Sequence, residues 1–250
     1  MATPPLYDSA FFTGIEDGSR VSAREVVPEL MKLVHPQSVV DLGCGTGAWL
    51  SVFGEQGACE LLGVDGDYVD RAALLIPADS FRAADLGKPL PPIGRRFDLA
   101  VSLEVAEHLP AECAETYLDN LTALSDVIAF SAAIPGQGGT HHVNEQWPQY
   151  WKRLFEARGF KLVDCLRHRV WDNRNVERWY RQNLLLYVQE SRLRSDPALS
   201  KEYENHRNNI LALVHPATYL APSLRQLIRM FPPAVSRVWQ RRRQRRSSSR

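Results

Sequence analysis

The segment Val39-Val40-Asp41-Leu42-Gly43-Cys44-Gly45-Thr46-Gly47-Ala48-Trp49-Leu50 constrains the fold more than any other part of the chain. It reads as a buried strand, a glycine-rich turn and the opening of a helix. Glycines at such a turn remove side chains, so the backbone can approach a ligand closely. The helix behind them offers unpaired N–H groups and a positive dipole end. The segment predicts a nucleotide-like cofactor at a strand–turn–helix junction of an α/β fold.

The glycines alone leave the cofactor open. Gly43, Gly45 and Ala48 also satisfy the relaxed dinucleotide fingerprint, so an NAD-binding oxidoreductase is one alternative. The acids separate the two. Asp41 ends the strand directly before the glycines, where a carboxylate would repel a pyrophosphate and would suit the ammonium of an amino acid. Leu61-Leu62-Gly63-Val64-Asp65 reads as a second strand ending in an acid suited to ribose hydroxyls. Phe81-Arg82-Ala83-Ala84-Asp85-Leu86 reads as a third, with an acid suited to an adenine amino group. An amino-acid end, a ribose and an adenine describe S-adenosylmethionine (SAM). Asp65 and Asp85 also suit plain turn caps, Asp85 more readily.

From Ser38 to Gln189 the chain resembles the class I SAM-dependent methyltransferases, most specifically in Val-Val-Asp-Leu-Gly-Cys-Gly-Thr-Gly followed by Gly-Val-Asp. The resemblance implies that Asp41, Gly43 and Gly45 line the methionine part, Asp65 the ribose, and Asp85-Leu86 the adenine. Cys44, Gly47, Gly66 and Leu103 complete the cofactor-binding set it implies.

Periodicity predicts alternating elements. Val26, Val27, Leu30, Met31 and Val34 recur at helical spacing, giving a helix from Ala23 to Val34. Further helices are expected to Gln56, over Arg71 to Ile76, Glu112 to Leu124 and Pro148 to Arg158, with one from Asp196 to Val214. Strands are expected at Phe97 to Ser102, Val127 to Ala133, Phe160 to Leu166 and Asn183 to Gln189. The fold class is α/β: a Rossmann-like, seven-stranded, mostly parallel sheet with an antiparallel edge strand. Helices cover both faces, and a helical extension follows. The expected divisions are an N-terminal lid and helix (1–37), the methyltransferase domain (38–190) and the extension with a basic tail (191–250).

The length suits one α/β core with additions. Cys44, Cys59, Cys113 and Cys165 are scattered, without paired-ligand spacing, which fits a reduced compartment. The N-terminus does not read as a secretory signal, and no apolar run is long enough for a bilayer. A cytoplasmic protein is the expectation.

The second constellation is Glu104-Val105-Ala106-Glu107-His108. In a helical turn Glu104, Glu107 and His108 would project to one side. Two carboxylates and an imidazole on one face suit a divalent metal. The loop Gly138-Gly139-Thr140-His141-His142 lies at the same sheet edge and offers a fourth ligand. The pattern resembles two metal-dependent branches of the superfamily, the small-RNA terminal 2′-O-methyltransferases and the ubiquinone-pathway O-methyltransferases. Both act on an oxygen beside a second oxygen. By that resemblance Glu104, Glu107, His108 and His142 would hold Mg²⁺ or Mn²⁺, His142 being preferred because His142 and Glu145 match the His-x-x-Glu spacing of the RNA enzymes. The metal would lower a hydroxyl's pKa, and Glu107, His141 and His142 are the candidate catalytic residues. The alternative is an acidic pair and a histidine that pack and cap a helix start. His141 or His142 is then the general base.

Two stretches are expected to face the substrate. Tyr7 to Arg20 is read as a lid, with Ser19, Arg20 and Ser22 either near the SAM carboxylate or capping the next helix. Arg169 to Gln182 is crowded with aromatic and polar side chains, which suits a sugar or stacked bases, or else a packed amphipathic helix. Together with Gly-Gly-Thr-His-His-Val-Asn-Glu-Gln-Trp-Pro-Gln-Tyr-Trp, it resembles a bacterial methyltransferase group associated with saccharide and secondary-metabolite assembly.

From Leu220 onward there are nine arginines and no acid, so with a formal total of +1 the preceding residues carry about −8. The basic end suits an anionic membrane surface or RNA phosphates, or a solvated tail. The reading is a SAM-dependent O-methyltransferase acting, with divalent-metal assistance, on a hydroxyl of a sugar, glycoconjugate or related small molecule. An RNA 2′-O-methyltransferase is the first alternative, weakened by the acidic balance before the tail.

Overall fold

This computed structural model describes residues 9–220, with side chains from 18 to 218. The arginine-rich segment from 221 onward, including the expected amphipathic stretch, lies outside the described residues. Residues up to Leu213 form one compact unit and those from Val214 a second.

The first unit is built on a seven-stranded sheet. Its strands are β1 (Ser38–Leu42), β2 (Glu60–Asp65), β3 (Phe81–Ala83), β4 (Leu99–Leu103), β5 (Val127–Ser131), β6 (Phe160–Val163) and β7 (Leu185–Gln189). The order is β3-β2-β1-β4-β5-β7-β6. The five strands from β3 to β5 pair in parallel. The antiparallel pairing sits at the β6 edge: β7 reverses and lies between β5 and the marginal β6.

The central strands β1, β4 and β5 are buried at every residue, because helices cover both faces of the sheet. Alternation along each strand feeds two cores. Val39, Val101 and Ala129 face one layer, made by α1 (Ser9–Val34), α2 (Ala48–Glu55), α5 (Leu166–Val170), α6 (Arg178–Asn183), α7 (Glu190–Ser195) and α8 (Pro197–His206). Val40, Leu42, Ala100, Ile128 and Phe130 face the other, made by α3 (Ala114–Leu124) and α4 (Pro148–Glu156). Tyr117 of α3 ties β1 to β4, its hydroxyl donating to Leu42 O at 3.2 Å and lying 2.5 Å from Ser102 Oγ. That bond fixes the strand end that carries the glycine turn.

Three expectations need correction. The stretch from Ser9 to Arg20, read as an irregular lid, belongs to α1, which runs unbroken to Val34. Arg71 to Ile76 is only a single turn, Arg71–Ala73, capped by Asp70. Beyond it Leu75 N donates to Thr46 O at 2.8 Å and Ile76 packs on Gly47, which pulls the chain out of a helix. The helix read from Asp196 to Val214 stops at His206. Asp196 caps its start through Ala198 N and Leu199 N, and Asn209 beyond its end contacts His168 and His206. In the second unit the described part is a short helix, α9 (Pro216–Leu220), where His215 Nδ1 accepts from Ala217 N at 3.1 Å.

Candidate active site

The carboxyl ends of β1, β2, β4 and β5 converge on one edge, where a doubly wound sheet binds its ligands. At the first of them Gly43, Gly45 and Gly47 all have positive φ, which the turn requires. A Cβ on Gly43 would lie 2.3 Å from Val105, so that glycine also admits the start of the second constellation. Gly47 caps α2 in the left-handed conformation. Cys44 is buried in the turn, with its thiol against Gly45 O.

Asp41 and Asp65 are both buried beneath this turn. Burial, and then the charge of Asp65, push the Asp41 carboxyl well above the usual carboxylate range. Asp65 is also raised by burial, against the pull of three donors. Gly45 N reaches its Oδ2 at 2.7 Å, and Gly66 N (2.7 Å) and the Tyr68 hydroxyl (2.5 Å) reach its Oδ1. The Tyr68 ring packs against Gly66, where a Cβ would stand 2.1 Å from it. Two buried carboxylates with so little positive charge around them suit a cationic ligand. Asp85 is exposed and caps its own turn, accepting from Gly87 N at 3.0 Å and pairing with Lys88 at 2.9 Å. Leu86 and Leu103 are buried beside the strand ends.

The second constellation does not form a single helical face. Glu104 has φ 55° and stands before the short turn Ala106–His108, so the three side chains do not share one helical face, although the Glu104 carboxylate stays close to that of Glu107. The left-handed conformation costs a non-glycine residue on the order of 1 kcal/mol. It is fixed by the Glu104 N–H, which meets both Ser131 O and Ser131 Oγ at 3.0 Å. The Glu104 carboxylate is taken up by Gln137 and Asn183.

Glu107, His108 and His142 come together instead, with one ligand atom from each within 4.8 Å of the others. The loop after β5 is stitched onto this turn: Val143 N and Asn144 N donate to Glu107 O at 2.9 and 3.0 Å. The rings of His108 and His142 meet edge to face, 4.9 Å between centroids. Glu107 is 0% exposed, and neither carboxylate oxygen receives a hydrogen bond of good geometry. The nearby Glu107 and Ala133 N–H groups give partial relief, while burial and then the Glu104 charge push its pKa well up. Burial and His142 hold His108 down to about 4. His141, also at positive φ, is exposed and stands outside the group.

The substrate-facing stretches are largely absorbed by packing. Ser19 Oγ lies 3.1 Å from the Tyr180 hydroxyl, Arg20 pairs with Glu55 at 2.7 Å, and Ser22 Oγ donates to Gly18 O. None of the three caps a helix start, since all lie inside α1. Glu25 of α1 accepts from Asn173 and Asn175, and Tyr180 is buried edge-on against Trp49. Sequence reasoning missed Tyr68, Gln137 and Asn183. Tyr68 follows the ribose acid by three residues and had a signal there; the amides are joined only by the fold.

A family model described as a methyltransferase domain matches residues 17–126. Among solved structures the chain is similar to an O-methyltransferase family protein from Burkholderia thailandensis (15% identity, TM-score 0.54, 73% of this chain and 60% of that one). It is also similar to the methyltransferase domain of bacterial CtHen1-C (18%, 0.51, 68% and 98%). A third is magnesium protoporphyrin IX methyltransferase from Synechocystis PCC 6803 with bound SAH (18%, 0.50, 72% and 88%). At these identities the likeness is one of fold, and the chain spans only 60% of the Burkholderia protein. No curated protein matches the sequence. The doubly wound sheet, the glycine cradle over Asp41 and Asp65 and the matched domain define a nucleoside-cofactor enzyme of the α/β class. Residues 17–126 match a methyltransferase domain, and the fold around them is that of a SAM-dependent methyltransferase.

Proposed function

We propose that this methyltransferase transfers the SAM methyl group to a hydroxyl of a sugar, glycoconjugate or related small molecule. A divalent cation held by Glu107, His108 and His142 assists. The observation that carries the cation is Glu107: a fully buried carboxylate without a well-formed hydrogen bond, facing two imidazoles. A buried charge of that kind is strongly unfavourable unless paired. His108 is neutral at physiological pH, as a ligand must be. One carboxylate and two imidazoles suit Mn²⁺ better than Mg²⁺, which prefers oxygens. When bound, the cation lowers the pKa of a hydroxyl and aligns a neighbouring oxygen.

The chain's own residues do the rest. Asp41 and Asp65 hold the cationic and ribose ends of the cofactor, and Glu145 aims His142. Val143 and Trp147, 65% and 42% exposed on the same loop, supply an apolar flank that supports a sugar ring as the acceptor face. If the cation is absent, the His142–Glu145 pair is the general base, since its imidazole is already oriented. We also propose, on charge alone, that the arginine-rich segment seats the protein on an anionic membrane surface. Among the described residues no helix is long and apolar enough to cross a membrane.

The test is label transfer from tritiated SAM to a panel of methyl glycosides, nucleotide sugars and RNA 3′ ends, with EDTA and with added Mn²⁺. Transfer to a glycoside that EDTA abolishes and Mn²⁺ restores supports the reading. Transfer that survives both EDTA and Glu107→Gln removes the cation, and transfer to RNA alone removes the sugar.

A further inference from the structure

Glu104 lies at the mouth of β4, one residue beyond the strand and against Glu107, yet its carboxylate is already committed. Gln137 Nε2 donates to its Oε2 at 2.8 Å and Asn183 Nδ2 to its Oε1 at 3.1 Å. The amides are locked to one another. Gln137 Oε1 accepts from Asn183 Nδ2 at 2.8 Å and from Gln182 Nε2 at 3.2 Å, and Gln182 Nε2 also donates to Asn183 Oδ1 at 3.0 Å. All three are buried, at 7%, 1% and 2% exposure. The Gln137 and Asn183 carbonyls are used within the cluster, so the N–H groups of these two residues converge on one carboxylate, with Gln182 bracing both. The strained backbone of Glu104, held by Ser131, aims that carboxylate into the clamp.

We propose that Glu104 is not a cation ligand but an acceptor-binding residue, a carboxylate fixed by Gln137 and Asn183 that receives a hydrogen bond from a hydroxyl of the acceptor. This rests on the proposed O-methyl transfer. Each Glu104 oxygen keeps a second lone pair, and the residue is only half-buried, so those lone pairs are reachable from the sheet edge. A hydroxyl matches them, because it donates to a carboxylate while its neighbour offers an oxygen. Glu104 falls outside the group in which Glu107, His108 and His142 bring their ligand atoms within 4.8 Å of one another, and both of its oxygens already accept from buried amides. Three protein ligands instead of four also leave the cation more room for acceptor oxygens. Gln137 and Asn183 are then positioning residues, acting through Glu104.

The test is a crystal structure of the full chain grown with SAH and Mn²⁺, joined to Mn²⁺ titrations of wild type, Glu104→Gln and Glu107→Gln, with SAH affinity as the folding control. The expected structure has Mn²⁺ on Glu107, His108 and His142 and Glu104 still on both amides. Glu104→Gln should hold Mn²⁺ within about threefold of wild type, while Glu107→Gln loses about tenfold or more. Glu104 on the ion, or equal losses in the two variants, overturns the proposal. No ion but an intact clamp supports the role of Glu104 and overturns the cation reading instead. No ion and an open clamp overturns both.

Discussion

His142 Nδ1 lies 3.0 Å from Oε1 of Glu145, and the same carboxylate accepts from Gly136 N at 2.7 Å and Gly138 N at 2.8 Å. One acid thus orients the imidazole and fastens the loop that presents it. With Nδ1 engaged, Nε2 is left to face a ligand, the arrangement by which outer-shell carboxylates orient metal-binding histidines. Gly139 makes space for that ring, since a Cβ there would stand 2.1 Å from His142 Nε2.

Glu145→Gln should therefore weaken Mn²⁺ binding by about 10- to 100-fold while leaving SAH affinity unchanged. Titration calorimetry with each ligand measures both. An unchanged Mn²⁺ affinity would show that the pair serves the loop alone.

On the proposed reading, Tyr68 competes with the cofactor for Asp65. Its hydroxyl meets Oδ1 at 2.5 Å, the carboxylate read as the ribose acceptor. Tyr68→Phe removes the competitor and should tighten SAH binding by about tenfold, the equivalent of one hydrogen bond to a charged group. Calorimetry on the variant checks it, and a weaker complex would mean that the hydroxyl contributes to the bound state.

With the cofactor's cation over them as proposed, the Asp41–Asp65 pair makes cofactor binding pH-dependent. Burial raises both carboxyls, and a cation over them lowers them again, so binding expels protons. Affinity for SAM should fall as the solution is acidified. The binding heat should be more exothermic in Tris, which takes up protons with a large enthalpy, than in phosphate. Equal heats in the two buffers would contradict proton release.

His108 makes the fold itself acid-sensitive. Its folded pKa is about 4 against an ordinary 6.5, with burial the main cause and the charge of His142 adding to it. The unfolded chain takes up the proton first, so this contribution is intact above pH 6.5 and is lost as pH falls toward 4. The full loss is on the order of 3 kcal/mol. Denaturant titrations of wild type and His108→Gln across that window should converge on the acid side. Parallel curves would contradict the assignment.

Much of the fold was legible in the sequence because the pattern and the packing agree. Val39-Val40-Asp41-Leu42 reads as a fully buried strand, and it is one; the acids ending β1 and β2 sit beneath the cradle. Local rules failed where a distant contact overrode them. The segment before Ala23 looked irregular, yet α1 continues through it, packed at Gly18, Ser19 and Ser22 against the segment around Glu177 and Tyr180. Helical spacing put Glu104 with Glu107 and His108, but Ser131 and the amides from residues 137 and 183 hold it elsewhere. Spacing within one segment carries no information about such partners. Sequence and structure agree more closely at His142, because its partner Glu145 lies only three residues away in the same loop.

The cation is the claim on which the proposed chemistry turns. Calorimetric titration of Mn²⁺ into EDTA-treated, SAH-loaded protein, beside Glu107→Gln, tests it most directly. The account predicts one saturable site in the wild type and its loss in the variant, with SAH affinity equal in both. Absence of Mn²⁺ binding to the wild type, or binding that Glu107→Gln leaves intact, would contradict it.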